Sequence, residues 1–267
     1  MVSPFSAGER MGRRLKKAGI ARLPTQCRRL YGRKVEFRVL GPLEIARNDG
    51  PLPIGGVKQR VVLAHLLVQA NALVPAERLI DAVWETEPPA AARNVLQTYV
   101  SRLRKLVGTD RLEQRAGGYV LHAEPQELDA SRFEALVDEA RRTRAFDPDA
   151  AVRLYREADS LWRGPALDDL ADQLSLRAEI AHLEELRVAA TDERVAVELS
   201  LGRHAELVPE LEALTALHPH REGFWAHLMT ALYRSGRQAD ALAAYRRARA
   251  LLVEELGLEP STDLRRL

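Results

Sequence analysis

Side chains that can read a nucleic acid are concentrated between Arg93 and Lys105. No Asp or Glu occurs in this segment, whereas an ordinary exposed helix mixes acids with bases for solubility and local pairing. Guanidinium groups form paired hydrogen bonds with guanine, and side-chain amides do so with adenine. The segment therefore offers four candidate base readers: Arg93, Asn94, Gln97 and Arg102. Four neighbours suit phosphates or thymine methyl groups better: Thr98, Ser101, Arg104 and Lys105.

A helix has to position these side chains. The sequence predicts one from about Ala90 to Val107, because apolar residues recur there at helical spacing and Gly108 is suited to ending it. The apolar stripe consists of Val95, Leu96, Tyr99, Val100, Leu103 and Leu106. We expect this stripe to pack on its own domain while the polar face points outward. The alternative interpretation is the solvated face of a purely structural helix.

A β-hairpin is predicted directly after this helix. Two short strands, Arg111 to Arg115 and Tyr119 to Ala123, are joined by a glycine turn. A hairpin in that place is typical of the wing of a winged helix. Arg115 would then touch the sugar-phosphate chain, helped by the close backbone approach that Gly117 and Gly118 allow. The alternative for Arg115 is an ordinary solvated strand residue.

The elements ahead of this helix complete a small domain. Alternating residues and turn signals predict two strands, and two stretches of helical periodicity follow them. Their expected bounds are Val35 to Leu40, Leu43 to Ala46, Val57 to Gln69, and Ala76 to Trp84. We therefore predict a winged helix-turn-helix domain over residues 35–124.

The rest of the chain, residues 125–267, is predicted to be entirely helical. Gly202 and Gly236 lie 34 residues apart, with apolar or small residues at matched offsets behind each glycine. A spacing of 34 is the tetratricopeptide period, in which paired helices stack. The match covers about two repeats. The predicted fold is thus mainly α with small β content: a winged helix-turn-helix followed by an all-α, tetratricopeptide-like domain.

Charge is distributed unevenly along the chain. Residues 1–34 contain ten Lys or Arg and one acid, whereas residues 126–267 contain nineteen Lys or Arg and twenty-seven acids. This asymmetry favours a front half that meets a polyanion and a rear half that does not. We interpret residues 1–34 as a basic, flexible arm, which is either an ordinary leader or a further phosphate contact.

Several functional classes find no support in the sequence. The single cysteine, Cys27, has no partner at metal-ligand spacing, and the seven histidines are scattered. We found no nucleophile elbow and no paired-carboxylate motif. Apolar runs fall well short of the ~20 residues that cross a bilayer. We therefore expect no catalytic residue, cofactor or metal, and a cytoplasmic protein.

Short strings occur in a fixed order from about Val35 to the C-terminus. They include Gln59-Arg60 with Leu63-Ala64, and the double proline Pro88-Pro89. The longer strings are FRVLGPL from Phe37, LIDAVW from Leu79, LQTYVSRLR from Leu96, GGYVL from Gly117 and ELGLEP from Glu255. Together, in this order, they resemble the Streptomyces antibiotic regulatory protein family.

This resemblance implies a response-regulator-type winged helix followed by a bacterial transcriptional activator domain. Members bind direct repeats in double-stranded promoter DNA upstream of antibiotic biosynthesis genes, as side-by-side protomers, and recruit RNA polymerase holoenzyme including its sigma factor. Large members append an ATPase module, so a chain that ends at Leu267 leads us to expect a small, pathway-specific member. The alternative is a protein-binding adaptor whose helical repeats act without specific DNA binding.

Overall fold

The computed structural model describes residues 35–47, 50–84 and 87–267. The predicted basic arm and Cys27 lie outside the described residues. Within those three ranges no helix is long and apolar enough to cross a membrane.

The first described element is a three-stranded antiparallel meander. It consists of β1 (Val35–Arg38), β2 (Glu44–Arg47) and β3 (Gly50–Leu52). The register places Phe37 opposite Ile45, and both side chains are buried. The alternation of buried and half-buried residues along β1 is the period-2 pattern predicted from the sequence.

Three helices and a second sheet form the winged helix. The helices are α1 (Val57–Val68), α2 (Ala76–Trp84) and α3 (Ala92–Val107). The sheet contains β4 (Val74–Pro75), β5 (Leu112–Arg115) and β6 (Gly118–Leu121), in the order β4-β6-β5. The sequence did not predict β4. The strand β4 leaves no room for a side chain at position 118, since a Cβ there would overlap the carbonyl oxygen of Val74. That close approach serves packing within the sheet, which corrects our expectation that Gly118 leaves room for a nucleic acid backbone.

The rear of the chain is helical, as predicted. Its helices are α4 (Asp129–Thr143), α5 (Pro148–Asp159), α6 (Arg177–Ser200), α7 (His204–Leu217), α8 (Glu222–Arg234), α9 (Gln238–Leu251) and α10 (Thr262–Arg266). A π-helical turn, Leu252–Leu256, follows α9. Three short 3-10 turns occupy Pro125–Glu127, Asp168–Leu170 and Leu174–Leu176.

The 34-residue period is present in the backbone of the rear helices. The helices α7 and α9 begin at His204 and Gln238, which are 34 positions apart. The turns before them match as well, because Gly202 and Gly236 both have left-handed φ angles, of 81° and 78°. Only glycine adopts such angles without strain. The tetratricopeptide-like pairing of α6 to α9 is therefore confirmed.

Front and rear share one hydrophobic core. A single cluster of buried side chains runs from Val35 in β1 to Val197 in α6, and a second cluster fills the last helix pairs. The core therefore does not divide between residues 124 and 125, where we predicted a domain boundary. The domain boundary between residues 124 and 125 therefore remains a prediction.

A buried carboxylate joins the two halves of the chain. Asp129, at the start of α4, accepts hydrogen bonds from the backbone amides of Val39 (2.8 Å) and Leu40 (3.0 Å). Burial raises the pKa of Asp129, and the amide hydrogen bonds oppose that shift by stabilising the ionised form. Two backbone hydrogen bonds lie beside this contact: the amide of Arg163 donates to the carbonyl oxygen of Leu40 (2.8 Å), and the amide of Leu167 donates to that of Val39 (3.0 Å).

We predict that Asp129→Ala destabilises the whole described structure. The substitution leaves the amides of Val39 and Leu40 buried without an acceptor, and each orphaned donor costs about 1–3 kcal/mol. The expected loss is therefore about 2–6 kcal/mol, measured by urea unfolding. The control is Asp172→Ala, because Asp172 is exposed and its loss should leave the unfolding midpoint unchanged. Equal midpoints for the two variants would show that the junction does not depend on Asp129.

Candidate nucleic-acid interface

The helix α3 is docked through one apolar stripe. Its buried residues are Ala92, Leu96, Val100, Leu103 and Val107, which recur at the spacing of one helix face. The stripe contacts α1 and α2. The predicted stripe members Val95, Tyr99 and Leu106 are half-buried at its edges. The core therefore fixes which side of α3 points outward.

The opposite face of α3 is open to solvent. Five of the predicted residues lie on it at helical spacing and are exposed: Asn94, Gln97, Thr98, Ser101 and Lys105. Arg93 and Arg102 are also exposed and lie on the two flanks of this face. The outward-pointing, acid-free face predicted from the sequence is confirmed, and we call these seven residues the α3 face.

Arg104 does not belong to the α3 face. It is half-buried, and its Nε donates a hydrogen bond to the carbonyl oxygen of Leu112 in β5 (2.8 Å). Through this bond Arg104 braces the wing against α3. The expected contact of Arg104 with phosphate remains a prediction.

Two other predicted arginines have carboxylate partners. The guanidinium of Arg93 is paired with Glu77 in the first turn of α2, and both side chains are about two-thirds exposed. Arg115 in β5 lies 3.0 Å from Glu113, and the hydrogen bond from Arg115 lowers the pKa of the Glu113 carboxyl. Exposed pairs of this kind are worth little, so both arginines can exchange their partner for a phosphate or a base at small cost.

The start of α1 borders the α3 face. An open cleft of about 320 Å³ there is lined by residues 56–59 of α1 together with Tyr99 and Arg102. Lys58 is exposed, and its Nζ lies 5.1 Å from the centre of the Trp84 ring. Arg60, two residues further along α1, has a partner in the rear half: its Nε donates to Asp169 (2.6 Å) in the 3-10 turn Asp168–Leu170. Because Asp169 is remote in sequence, no local pattern could have indicated this partner.

The base of the wing is fastened to the rear of the chain. Just ahead of β5, the guanidinium of Arg111 donates two hydrogen bonds to the carboxylate of Glu127, at 2.6 Å and 2.8 Å. This hydrogen bonding holds the pKa of Glu127 below its usual value. At the C-terminal end of α3, the guanidinium of Arg47 donates to the carbonyl oxygen of Leu106. The α3 face and the wing are thus held in one fixed relation.

Two family models match this chain. The bacterial transcriptional activator domain matches residues 128–267, which is just over half of the chain, and the C-terminal domain of transcriptional regulatory proteins matches residues 55–121. The chain belongs to the Streptomyces antibiotic regulatory protein family. It is therefore a transcriptional regulator with a winged helix-turn-helix ahead of an activator domain, and the winged helix implies DNA binding.

Regulators from two genera are similar over most of the chain. The regulatory protein DnrI of Streptomyces peucetius is 40% identical over 245 residues, which cover 87% of this chain and 90% of DnrI. The regulatory protein AfsR of Streptomyces griseus is 42% identical over 238 residues, but this chain spans only 24% of its length. Among solved structures, Mycobacterium tuberculosis EmbR, in complex with a low-affinity phosphopeptide, matches with a TM-score of 0.84 and 38% identity, over 88% of this chain and 64% of that one.

The histidines of this family member are placed singly. His220 lies 2.7 Å from Glu255, and His227 lies 3.2 Å from Asp192. Each of these two histidines therefore has one carboxylate partner. Across residues 35–47, 50–84 and 87–267, no group of three or more potential ligands is arranged to hold a metal ion.

We predict that the Arg111–Glu127 pair makes stability depend on acid. Because the folded pKa of Glu127 is lowered from 4.5, its contribution is present above the unfolded pKa and is lost as pH falls through the folded value. Glu127→Gln should therefore cost about 1–3 kcal/mol at neutral pH and progressively less in acid. Urea unfolding from pH ~7 down to pH ~3 measures the difference.

The matched control for this prediction is Glu113→Gln in β5, two residues after Arg111. Glu113 is exposed, so its substitution should leave the unfolding midpoint close to that of the wild type at neutral pH. A Glu127→Gln deficit that stayed constant down to pH ~3 would contradict the assigned pair.

Proposed function

We propose that this chain is a sequence-specific transcriptional activator that binds direct repeats upstream of secondary-metabolite promoters and recruits RNA polymerase holoenzyme, including its sigma factor. The observation that carries the proposal is the α3 face, which is acid-free, rich in hydrogen-bond donors and exposed on a winged helix. An α-helix fits the major groove of B-DNA, where each base pair presents a distinct set of donors and acceptors.

The side chains of the α3 face divide into readers and anchors. Asn94 and Gln97 lie near its centre and have the amide groups that pair with adenine. Arg93 and Arg102, on the flanks, can pair with guanine. Thr98, Ser101 and Lys105 suit phosphates or thymine methyl groups. Arg115 on the wing reaches the flanking sugar-phosphate chain, which positions the domain without reading sequence.

Tandem binding follows from the form of the target. Direct repeats present the same sequence in the same direction, so two protomers on them have the same orientation and meet through a head-to-tail contact. The rear half is unsuited to DNA, because residues 126–267 contain nineteen Lys or Arg against twenty-seven acids. We assign it to contacts with the polymerase and with the neighbouring protomer, in the cytoplasm at the nucleoid.

Salt dependence distinguishes this function from that of a repeat-domain adaptor. A protein that neutralises DNA phosphates releases counterions, so its affinity falls steeply as salt rises. An adaptor that acts only through its helical repeats shows no salt-sensitive DNA affinity. DNA fragments selected by binding from a pool of random sequences supply the probe, because the protein itself then picks out its target sequence.

We predict that Gln97→Ala and Lys105→Ala weaken DNA binding in different ways. Loss of the Gln97 amide should cost about 1–3 kcal/mol on the selected sequence and relax preference at one base position. Loss of Lys105 should weaken all sequences about equally and reduce the salt slope by about one. Gel-shift titrations at two salt concentrations, with selected and scrambled DNA, measure both effects.

The matched control is Arg153→Ala, which removes an exposed cation from α5 in the rear half. Its affinity and salt slope should equal those of the wild type. If Gln97→Ala and Lys105→Ala also bind like the wild type, α3 does not contact DNA and the proposal is wrong.

A further inference from the structure

The last two full helices carry an apolar groove on their outer side. It has a volume of about 670 Å³ and lies between the end of α8, the first half of α9 and α10. Large apolar side chains at its rim are open to solvent: Tyr233 is 58% exposed, Leu242 62% and Leu267 61%. Exposed apolar side chains gathered in one groove mark a surface that a partner covers.

The charge of this groove is opposite to that of the rear half as a whole. Its lining contains Arg234 and Arg265 and no acidic residue, although acids outnumber bases in residues 126–267. Arg234 has no carboxylate partner among the described residues. A ligand for the groove should therefore be apolar with negative charge.

A segment of that chemistry occurs in the same chain. Just after α9, the exposed apolar residues Val253, Leu256 and Leu258 lie in sequence around the adjacent pair Glu254 and Glu255. Glu255 is paired with His220, whereas Glu254 has no partner in the part of the chain that the structure describes. We call this segment, residues 253–258, the acidic ridge.

Groove and ridge lie at opposite ends of α9. Leu242 is in the first half of the helix, and Val253 lies two residues beyond its last residue, Leu251, a rise of roughly 15 Å. A protomer therefore cannot fill its own groove with its own ridge. A second protomer in the same orientation can bring its ridge to that groove, and this leaves one free groove and one free ridge at the ends of the pair.

We propose that the acidic ridge of one protomer docks in the groove of its neighbour when two protomers lie side by side on DNA. The inference rests on the proposed binding of direct repeats, because only these give the two protomers the same orientation. Glu254 of one copy meets Arg234 of the next, and the apolar residues of the ridge cover Tyr233 and Leu242. The contact is small, so it is weak in solution. Adjacent DNA sites raise the effective concentration of the two surfaces.

Cysteine cross-linking of the full chain tests the pairing. In a Cys27→Ser background, Leu242→Cys marks the groove and Leu256→Cys marks the ridge. On DNA that carries tandem copies of the selected site, a bismaleimide should link the two variants when they are mixed and should link neither variant to itself. On DNA with more than two tandem copies, the double variant should give dimers, trimers and longer products, because head-to-tail contacts do not close.

Charge exchange supplies the specificity control. Arg234→Glu in the groove partner, or Glu254→Arg in the ridge partner, should lower the yield of the mixed cross-link about tenfold. Combining the two variants should restore it. Arg153→Ala should leave the yield unchanged, because Arg153 lies in α5, outside both surfaces.

Three outcomes would overturn this inference: no mixed product, self-linking of a single variant, or only dimers from the double variant. None of these outcomes touches the proposed DNA binding, which gel shifts of the charge variants on a single selected site measure separately. Those affinities should equal the wild-type value. If DNA binding fails while the mixed cross-link forms, the proposed function falls and the contact between copies remains.

Discussion

The burial of one apolar stripe of α3 determines which side chains of that helix face solvent. Five side chains, from Ala92 to Val107, dock the helix on α1 and α2, and each large apolar side chain contributes about 1.5–3 kcal/mol when fully buried. Rotating α3 so that each side chain takes the place of the one before it would put Gln97 and Ser101 in the buried positions of Leu96 and Val100. Without hydrogen-bond partners there, each orphaned polar group would cost about 1–3 kcal/mol. The outward position of the α3 face is therefore a consequence of packing.

The front and rear halves act as one body because their contacts are buried and polar as well as apolar. Asp129 accepts hydrogen bonds from the backbone amides that follow β1. Glu127 accepts a hydrogen bond from Arg111 at the base of the wing, and Asp169 accepts one from Arg60 of α1. These carboxylates all belong to the rear half, and their partners all belong to the front. A protein that must place an activating surface at a set position relative to DNA needs such a junction, because a flexible linker would transmit no orientation.

Local patterns predicted the helices well and the side-chain partners poorly. The bounds of α2 were predicted to the residue, and α3 begins two residues later than expected, because helical periodicity and proline or glycine boundaries are local signals. The strand β4 was missed because it is two residues long and contains Pro75. The hydrogen bond from Arg104 to Leu112 and that from Arg60 to Asp169 were not predicted. A long side chain finds its partner in three dimensions, and no spacing in sequence distinguishes a bound guanidinium from a free one.

Methylation protection of selected DNA tests the central claim most directly. Dimethyl sulfate methylates guanine at N7 in the major groove, where the α3 face should lie, and adenine at N3 in the minor groove. The account predicts that the bound protein protects guanine N7 within each repeat and leaves adenine N3 reactive at the A·T pairs of the same repeat. Protection confined to adenine N3, or none at all under conditions where gel shifts show full binding, would contradict it.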